Sequence, residues 1–227
     1  MRYEKIFTHI RPWLDMDKFY APAAFHDSSE RYDHPSTRVT ILEHIMSWIL
    51  DLQTVCFFVW LYGPAGAGKS AIAQSIVELC HKAKLLAASF FFSRTAEVGR
   101  NDESCTIHTL VYQLRFICRY VEVTIKQDSL VLSRSLEAQI HNLVVDPLRC
   151  ALSNENDAIS LRSGPKLIII ANGLDECGRR GRKGPTAVQE IPLPISKFLV
   201  ASRPEQAIRD TFNAEPLCST RSTVRRP

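Results

Sequence analysis

Eight consecutive residues, Gly63, Pro64, Ala65, Gly66, Ala67, Gly68, Lys69 and Ser70, fit the pattern G-x-x-x-x-G-K-[ST]. Glycines at this spacing let successive backbone N–H groups curl around an anion, and a helix starting at the lysine adds its partial positive charge. Lys69 is expected to reach the β- and γ-phosphates of a nucleotide, Ser70 to offer its hydroxyl to Mg²⁺, and Ala71 to continue the cradle into the helix. Such a loop needs an acidic group at the end of a neighbouring strand to hold the metal and order water. Asp175 and Glu176 follow an apolar run and are the candidates; either could orient an attacking water or hold the metal's outer shell. Arg203 follows a second apolar run, and its guanidinium can span two oxygens of a γ-phosphate.

The elements that must position these residues are legible around them. Val55–Tyr62 is an apolar run suited to a buried parallel strand, and residues 71–80 are apolar at 71, 72, 76, 79 and 80, a helical spacing. Strand, glycine-rich turn and helix is the context the motif requires. Leu85–Phe92 predicts a second buried strand, Lys166–Ala171 a third, and Phe198–Ala201 a short last one. Between them fall helical stripes at 41–49 and 110–118, with Ser36 or Thr37 as a plausible N-cap of the first. Residues 121–152 predict two helices broken near Asp128 and again at Asp146-Pro147. A polar loop is expected at 153–157, at most a stub of helix at 187–190, and a last helix beginning near Ile208. Alternating strands and helices predict an α/β fold, a three-layer sandwich with a mainly parallel sheet and helices on both faces. Its C-terminal strand ends would gather the loop, the 172–177 turn and Ser202-Arg203 on one rim.

With 227 residues the chain has room for one sizeable domain, and 45% hydrophobic with 23% charged residues is the balance of a water-soluble globular protein. A net charge of +4 is mild. The basic stretches, Arg179–Lys183 and Arg221, Arg225 and Arg226, carry no interleaved aromatics, so no nucleic-acid partner is expected. Seven scattered cysteines without C-x-x-C pairs favour free thiols in a reducing compartment. The start carries charges and no apolar core of a leader, and no apolar run is long enough to cross a bilayer. A cytoplasmic protein without membrane contact is the expectation. His26 and His34 lack a third ligand and read as loop residues.

Four segments, Gly-Pro-Ala-Gly-Ala-Gly-Lys-Ser at 63–70, Phe-Phe-Phe-Ser-Arg at 90–94, Gly-Leu-Asp-Glu-Cys at 173–177 and Ala-Ser-Arg-Pro-Glu at 201–205, occur in an order that resembles the NACHT nucleoside-triphosphatase domain. The resemblance is to the nephrocystin-like type abundant in fungal genomes, and Phe25–Ser28 with Thr37-Arg38 is similar to its lead-in. It covers roughly residues 23–212, leaving 1–22 as an N-terminal extension and 213–227 as a basic, disordered tail. It implies a signal-transduction NTPase that binds ATP or GTP with Mg²⁺, with Lys69 and Ser70 on phosphate and metal and Arg203 as sensor. Protein partners or self-association on activation are implied as well.

The chain departs from the family pattern in three places. Asn172 stands where the family has an Mg²⁺-associated Asp; a neutral amide offers one oxygen without the charge a hard cation prefers. Nucleotide binding is therefore expected to survive better than hydrolysis, with Ser70, Asn172 and Asp175 as the metal-side residues. The segment 178–197 is shorter than the family's usual crossover and rich in Gly and Pro, and the chain stops where family members continue into regulatory regions. Both fit a truncated or degraded copy. The competing readings are a non-catalytic interaction module or inert fragment, and a P-loop kinase, for which the one arginine-rich loop at 179–183 lies beyond the acidic turn.

Overall fold

A computed structural model describes residues 35–53, 57–93, 103–163, 167–177, 195–213 and 221–225. The expectations at 1–22, at Phe25–Ser28, at His26 and His34, at Arg179–Lys183 and at 187–190 lie outside them.

Five strands form one sheet in which every pairing is parallel: β1 (Phe58–Tyr62), β2 (Leu86–Phe91), β3 (Leu167–Asn172), β4 (Ile195–Ser202) and β5 (Arg221–Arg225), in the order β2-β3-β4-β1-β5. Two expectations change here. The acidic turn does not follow a strand that neighbours β1, because β4 is inserted between β1 and β3. The stretch read as a disordered tail contributes β5, which pairs with β1 from Phe58↔Arg221 to Tyr62↔Arg225.

Side chains alternate across a strand, and that alternation builds two cores. Val59 and Leu61, Ile168 and Ile170, Leu199 and Ala201 face one layer, made by α1 (Pro35–Leu50) and α2 (Lys69–Lys82) through Ile41, Ile45, Ile49, Ile72, Ala73, Ile76 and Cys80. Phe58 and Trp60, Ile169, Phe198 and Val200 face the other. That layer holds α3 (Glu103–Gln113), α4 (Cys118–Gln127), α5 (Leu136–Ile140), α6 (Asp146–Ser153) and α8 (Gln206–Asn213), with α7 (Glu155–Ser163) packed beside α6. Each fully buried Ile on these faces contributes about 1.5–3 kcal/mol relative to exposure.

Local departures from the sequence reading have local causes. Helix α1 begins at Pro35, so Ser36 and Thr37 lie in its first turn instead of capping it; proline suits that turn because its missing N–H would be unpaired anyway. The helix break at Asp128 occurs, but Asp146-Pro147 does not interrupt the chain. A π turn at His141–Val145 carries α5 into α6, and the wider turn accommodates a proline at the start of α6, where its lost N–H matters least. Residues 153–157 are not a loop, because α7 starts at Glu155. Asn154 caps it, accepting from the Asp157 N–H at 3.4 Å through Oδ1. The edge strand β2 is covered by Gln113, whose side-chain amide imitates a neighbouring peptide. Ser89 N–H donates to Gln113 Oε1 at 2.7 Å, and Gln113 Nε2 donates to the Ser89 carbonyl at 2.9 Å.

Candidate functional site

The loop between β1 and α2 takes the form its glycines require. Gly66 has φ +78°, and a Cβ there would meet nothing within 4 Å; Gly68, the N-cap of α2, has φ +70°. Both lie in the left-handed region that favours glycine. Helix α2 starts at Lys69, and the amides of a helix's first turn, here those of Lys69, Ser70 and Ala71, point out of its N-terminus. The Lys69 ammonium folds back over the loop, donating to the carbonyls of Gly63 at 3.0 Å and Pro64 at 2.8 Å. Pro64, Ala65 and Gly66 are exposed, while Ala67 through Ala71 are half-buried.

Asn172 closes the site from β3. It has the same parity as Ile168 and Ile170, so its side chain emerges on the α2 face, and Nδ2 donates to Ser70 Oγ at 3.1 Å. Asn172 is buried. The residue that departs from the acidic pattern thus touches the hydroxyl expected to hold a metal, although one strand separates their elements.

The turn after β3 bends away from that contact. Gly173, at φ +79°, donates its N–H to the Ala201 carbonyl of β4 at 2.7 Å, and a Cβ there would lie 3.1 Å from the Phe92 carbonyl oxygen. Phe92 N–H donates in turn to the Asn172 carbonyl at 2.8 Å. Leu174–Glu176 form one 3₁₀ turn, and Cys177 buries against Phe90 and Phe92. This hydrogen-bonded, apolar packing presses the turn onto the end of β4. There the two oxygens of Asp175 meet Arg203: Oδ1 accepts the Arg203 backbone N–H at 2.9 Å, and Oδ2 lies 3.3 Å from Nε. The Asp175 side chain is 3% exposed and that of Arg203 46%. Glu176 is half-buried, and its N–H donates to the Gly173 carbonyl at 2.6 Å.

The structure therefore assembles two subclusters on one rim. Lys69, Ser70 and Asn172 form the first, Asp175 and Arg203 the second, where Asp175 accepts the Arg203 backbone N–H and its buried Oδ2 has no hydrogen-bond partner among the described residues. A link between P-loop strand and β4 that sequence reasoning missed lies on the opposite face. Trp60 Nε1 donates to Ser202 Oγ at 2.9 Å, with Trp60 stacked on Phe212 at 4.9 Å between ring centroids. The even alternation of apolar residues in β1 was its only advance signal. Among the described residues, no three His, Cys, Asp or Glu side chains come together as a metal cluster. Nor is any described helix long and apolar enough to cross a membrane.

A parallel sheet with helices on both faces and a glycine-rich phosphate loop running into α2 defines a P-loop α/β domain. Residues 36–203 match the Nephrocystin 3, N-terminal family, and the chain belongs to it. None of the curated proteins matches. Among solved structures, the chain is similar to one in the structure of Drosophila ORC bound to GC-rich DNA and Cdc6, at 12% identity and a TM-score of 0.48. That likeness covers 98% of this chain and 31% of the other.

Proposed function

We propose that this chain is the nucleotide-binding module of a NACHT-type signal-transduction NTPase, taking ATP or GTP with Mg²⁺ and hydrolysing it slowly or not at all. The observation that carries the reading is the contact of Asn172 with Ser70, 3.1 Å apart at the mouth of the loop. The residues fit a polyphosphate: two left-handed glycines, the start of a 14-residue helix and one lysine surround the place it would take. For the metal the set is weaker in charge, a hydroxyl from Ser70 and an amide oxygen from Asn172 after rotation of its side chain, so the phosphates themselves must supply the negative oxygens.

When bound, Mg²⁺ neutralises charge that spreads over the phosphate oxygens during transfer. Lys69 turns from the Gly63 and Pro64 carbonyls to the phosphates, and the amides of the loop fix their orientation. Glu176 or Asp175 orients the water. Asn172 lacks the charge that an aspartate would place beside the cation, so binding outlasts turnover.

The test is thermal stabilisation of the full chain by Mg·ATP or Mg·GTP, because a ligand that binds only the folded state raises apparent stability by mass action. Saturation at 100 times Kd raises stability by about 2.7 kcal/mol, and Lys69→Ala should abolish most of that gain. Single-turnover γ-phosphate release at matched occupancy should rise in Asn172→Asp. Equal rates in the two proteins would show that Asn172 does not limit hydrolysis, and no stabilisation of the parent chain would leave an interaction module as the better reading.

A further inference from the structure

We infer that Asn172 frees nucleotide binding at this site from the divalent ion, so that a metal-free nucleoside triphosphate is held about as tightly as its Mg²⁺ complex; this rests on the nucleotide reading above. A carboxylate beside a polyphosphate repels it unless a cation stands between them. An amide carries no charge and has hydrogens to give. Nδ2 of Asn172 donates to Ser70 Oγ at 3.1 Å. The hydroxyl accepts in that bond, which leaves its own O–H and the second N–H of the amide as donors. An ionised aspartate in the same place can only accept, and it takes up the serine O–H. The position thus changes from a charge that calls for a cation to a donor that an anion can use.

The amide is held from both sides. Asn172 pairs with Phe91 of β2 and Ala201 of β4. Its carbonyl accepts the Phe92 N–H at 2.8 Å, and the next N–H, of Gly173, donates to Ala201 at 2.7 Å. The residue is 5% exposed, so turning Oδ1 toward an ion gives up the bond to Ser70 in a buried setting, where a lost hydrogen bond is costly. Ser70 is fixed in turn through α2, whose Ile72 and Ile76 share a core with Ile168 and Ile170 of β3. Neither the loop from Gly63 to Ser70 nor the first turn of α2 contains an acid. Among the described residues no carboxylate hydrogen-bonds Ser70 Oγ, and Asp175 accepts the Arg203 backbone N–H at 2.9 Å instead. The groups that would meet the phosphates are then all donors: the Lys69 ammonium, the first-turn amides, the Ser70 hydroxyl and the Asn172 amide. A cation adds charge to such a cradle, but there is no carboxylate for it to cancel.

The experiment is calorimetric titration of the full chain with ATP and with GTP, once in Mg²⁺ and once in EDTA, for the parent, Asn172→Asp and Asn172→Leu. The parent should bind the two forms of its nucleotide within about threefold, because the same charge-assisted donors serve both. Asn172→Asp should hold the metal-free form about tenfold or more weaker than the parent does and recover in Mg²⁺, the weight of one hydrogen bond to a charged group. Asn172→Leu should weaken both forms about tenfold without preferring either. In the parent, the side-chain amide protons of Asn172 should move downfield when metal-free nucleotide is added.

A parent that prefers the Mg²⁺ complex by about tenfold or more overturns the inference and leaves the nucleotide reading standing. An Asn172→Asp protein indifferent to the ion overturns it too, as do an Asn172→Leu protein with parental metal-free affinity and amide protons that do not move. The parent's two titrations need no variant, so they decide even where a substitution harms folding. A parent that binds neither form of either nucleotide ends the nucleotide reading, and this inference with it.

Discussion

The two ends of β4 each bury a charge, and they use it differently. At the lower end Lys197, 4% exposed, donates to the carbonyls of Trp48, Ile49 at 3.0 Å and Asp51 at 2.6 Å, with its ammonium 5.3 Å from the centre of the Trp48 ring. Helix α1 has no basic residue in its own last turn, and Lys197 supplies from the sheet the cation that the helix C-terminus favours. Every one of these partners belongs to α1 or the residue after it, so the charge is enclosed by fixed backbone. At the upper end Asp175 is just as buried, but its partner Arg203 is half exposed. The lesson is one of commitment: the lower charge joins helix to sheet and has nothing left to offer a ligand, whereas the upper one holds an arginine that can still meet one.

Replacing the lower charge should have the largest effect. Lys197→Met keeps the length of the side chain and removes three donations from a cation, for a loss of about 3 kcal/mol in urea denaturation. Arg203→Ala should cost less, about 1–2 kcal/mol, because the buried Asp175 loses a half-exposed cation but keeps the backbone N–H it accepts. Equal losses at the two ends would remove the contrast between a structural charge and an available one.

The next effect is read in alkali at the lower end, where α2 finishes. Cys80 is wholly buried, and burial pushes its thiol up to about 11 from 9.0. The unfolded chain releases that proton first. Stability from the buried neutral thiol is therefore fully present below pH 9 and lost as pH rises through 11. The loss reaches about 2.7 kcal/mol for a shift of this size. Stability curves of the parent and of Cys80→Ala should converge by about that amount between those pH values, and parallel curves would show that the lower rim admits water. Cys150, which is exposed, should react with a thiol reagent under native conditions well before Cys80 does.

Much of this contrast could not be seen in the sequence. The phosphate loop was legible because its function needs particular residues at fixed local spacing, and β1, β2 and β3 because a buried parallel strand is a short apolar run. The helix of Pro147 was not, since a proline usually ends a helix and the π turn that spares this one is fixed by packing of Leu143, Val144 and Val145, all buried. Strand order escaped as well: nothing in Phe198–Ala201 says that it lies between β1 and β3, because that is decided by crossovers. For the same reason nothing local marked Lys197, 146 residues from Asp51, as a partner of α1, and Asp175 read as an acid facing the loop when its pair lies 28 residues away. Asn172 was singled out in the sequence as a departure from the family pattern, but parity gives only its face, and its contact with Ser70 comes from the fold.

Gly173 offers the smallest and most local way to sharpen the comparison. Its φ of +79° disfavours any L side chain, and an added Cβ would press on the Phe92 carbonyl at 3.1 Å. Backbone oxygen yields little, so Gly173→Ala should cost about 1–2 kcal/mol. The distribution of the damage matters more than its size. If the turn is a separate support for the upper rim, hydrogen exchange should quicken at the amides of Glu176 and Arg203, which bond within it and to it, while Asp51 and the end of α1 keep their protection. Loosening that spread to α1 would mean that β4 transmits strain along its length. The two buried charges would then be one coupled system, and the availability of Arg203 would depend on how firmly Lys197 holds the helix below it.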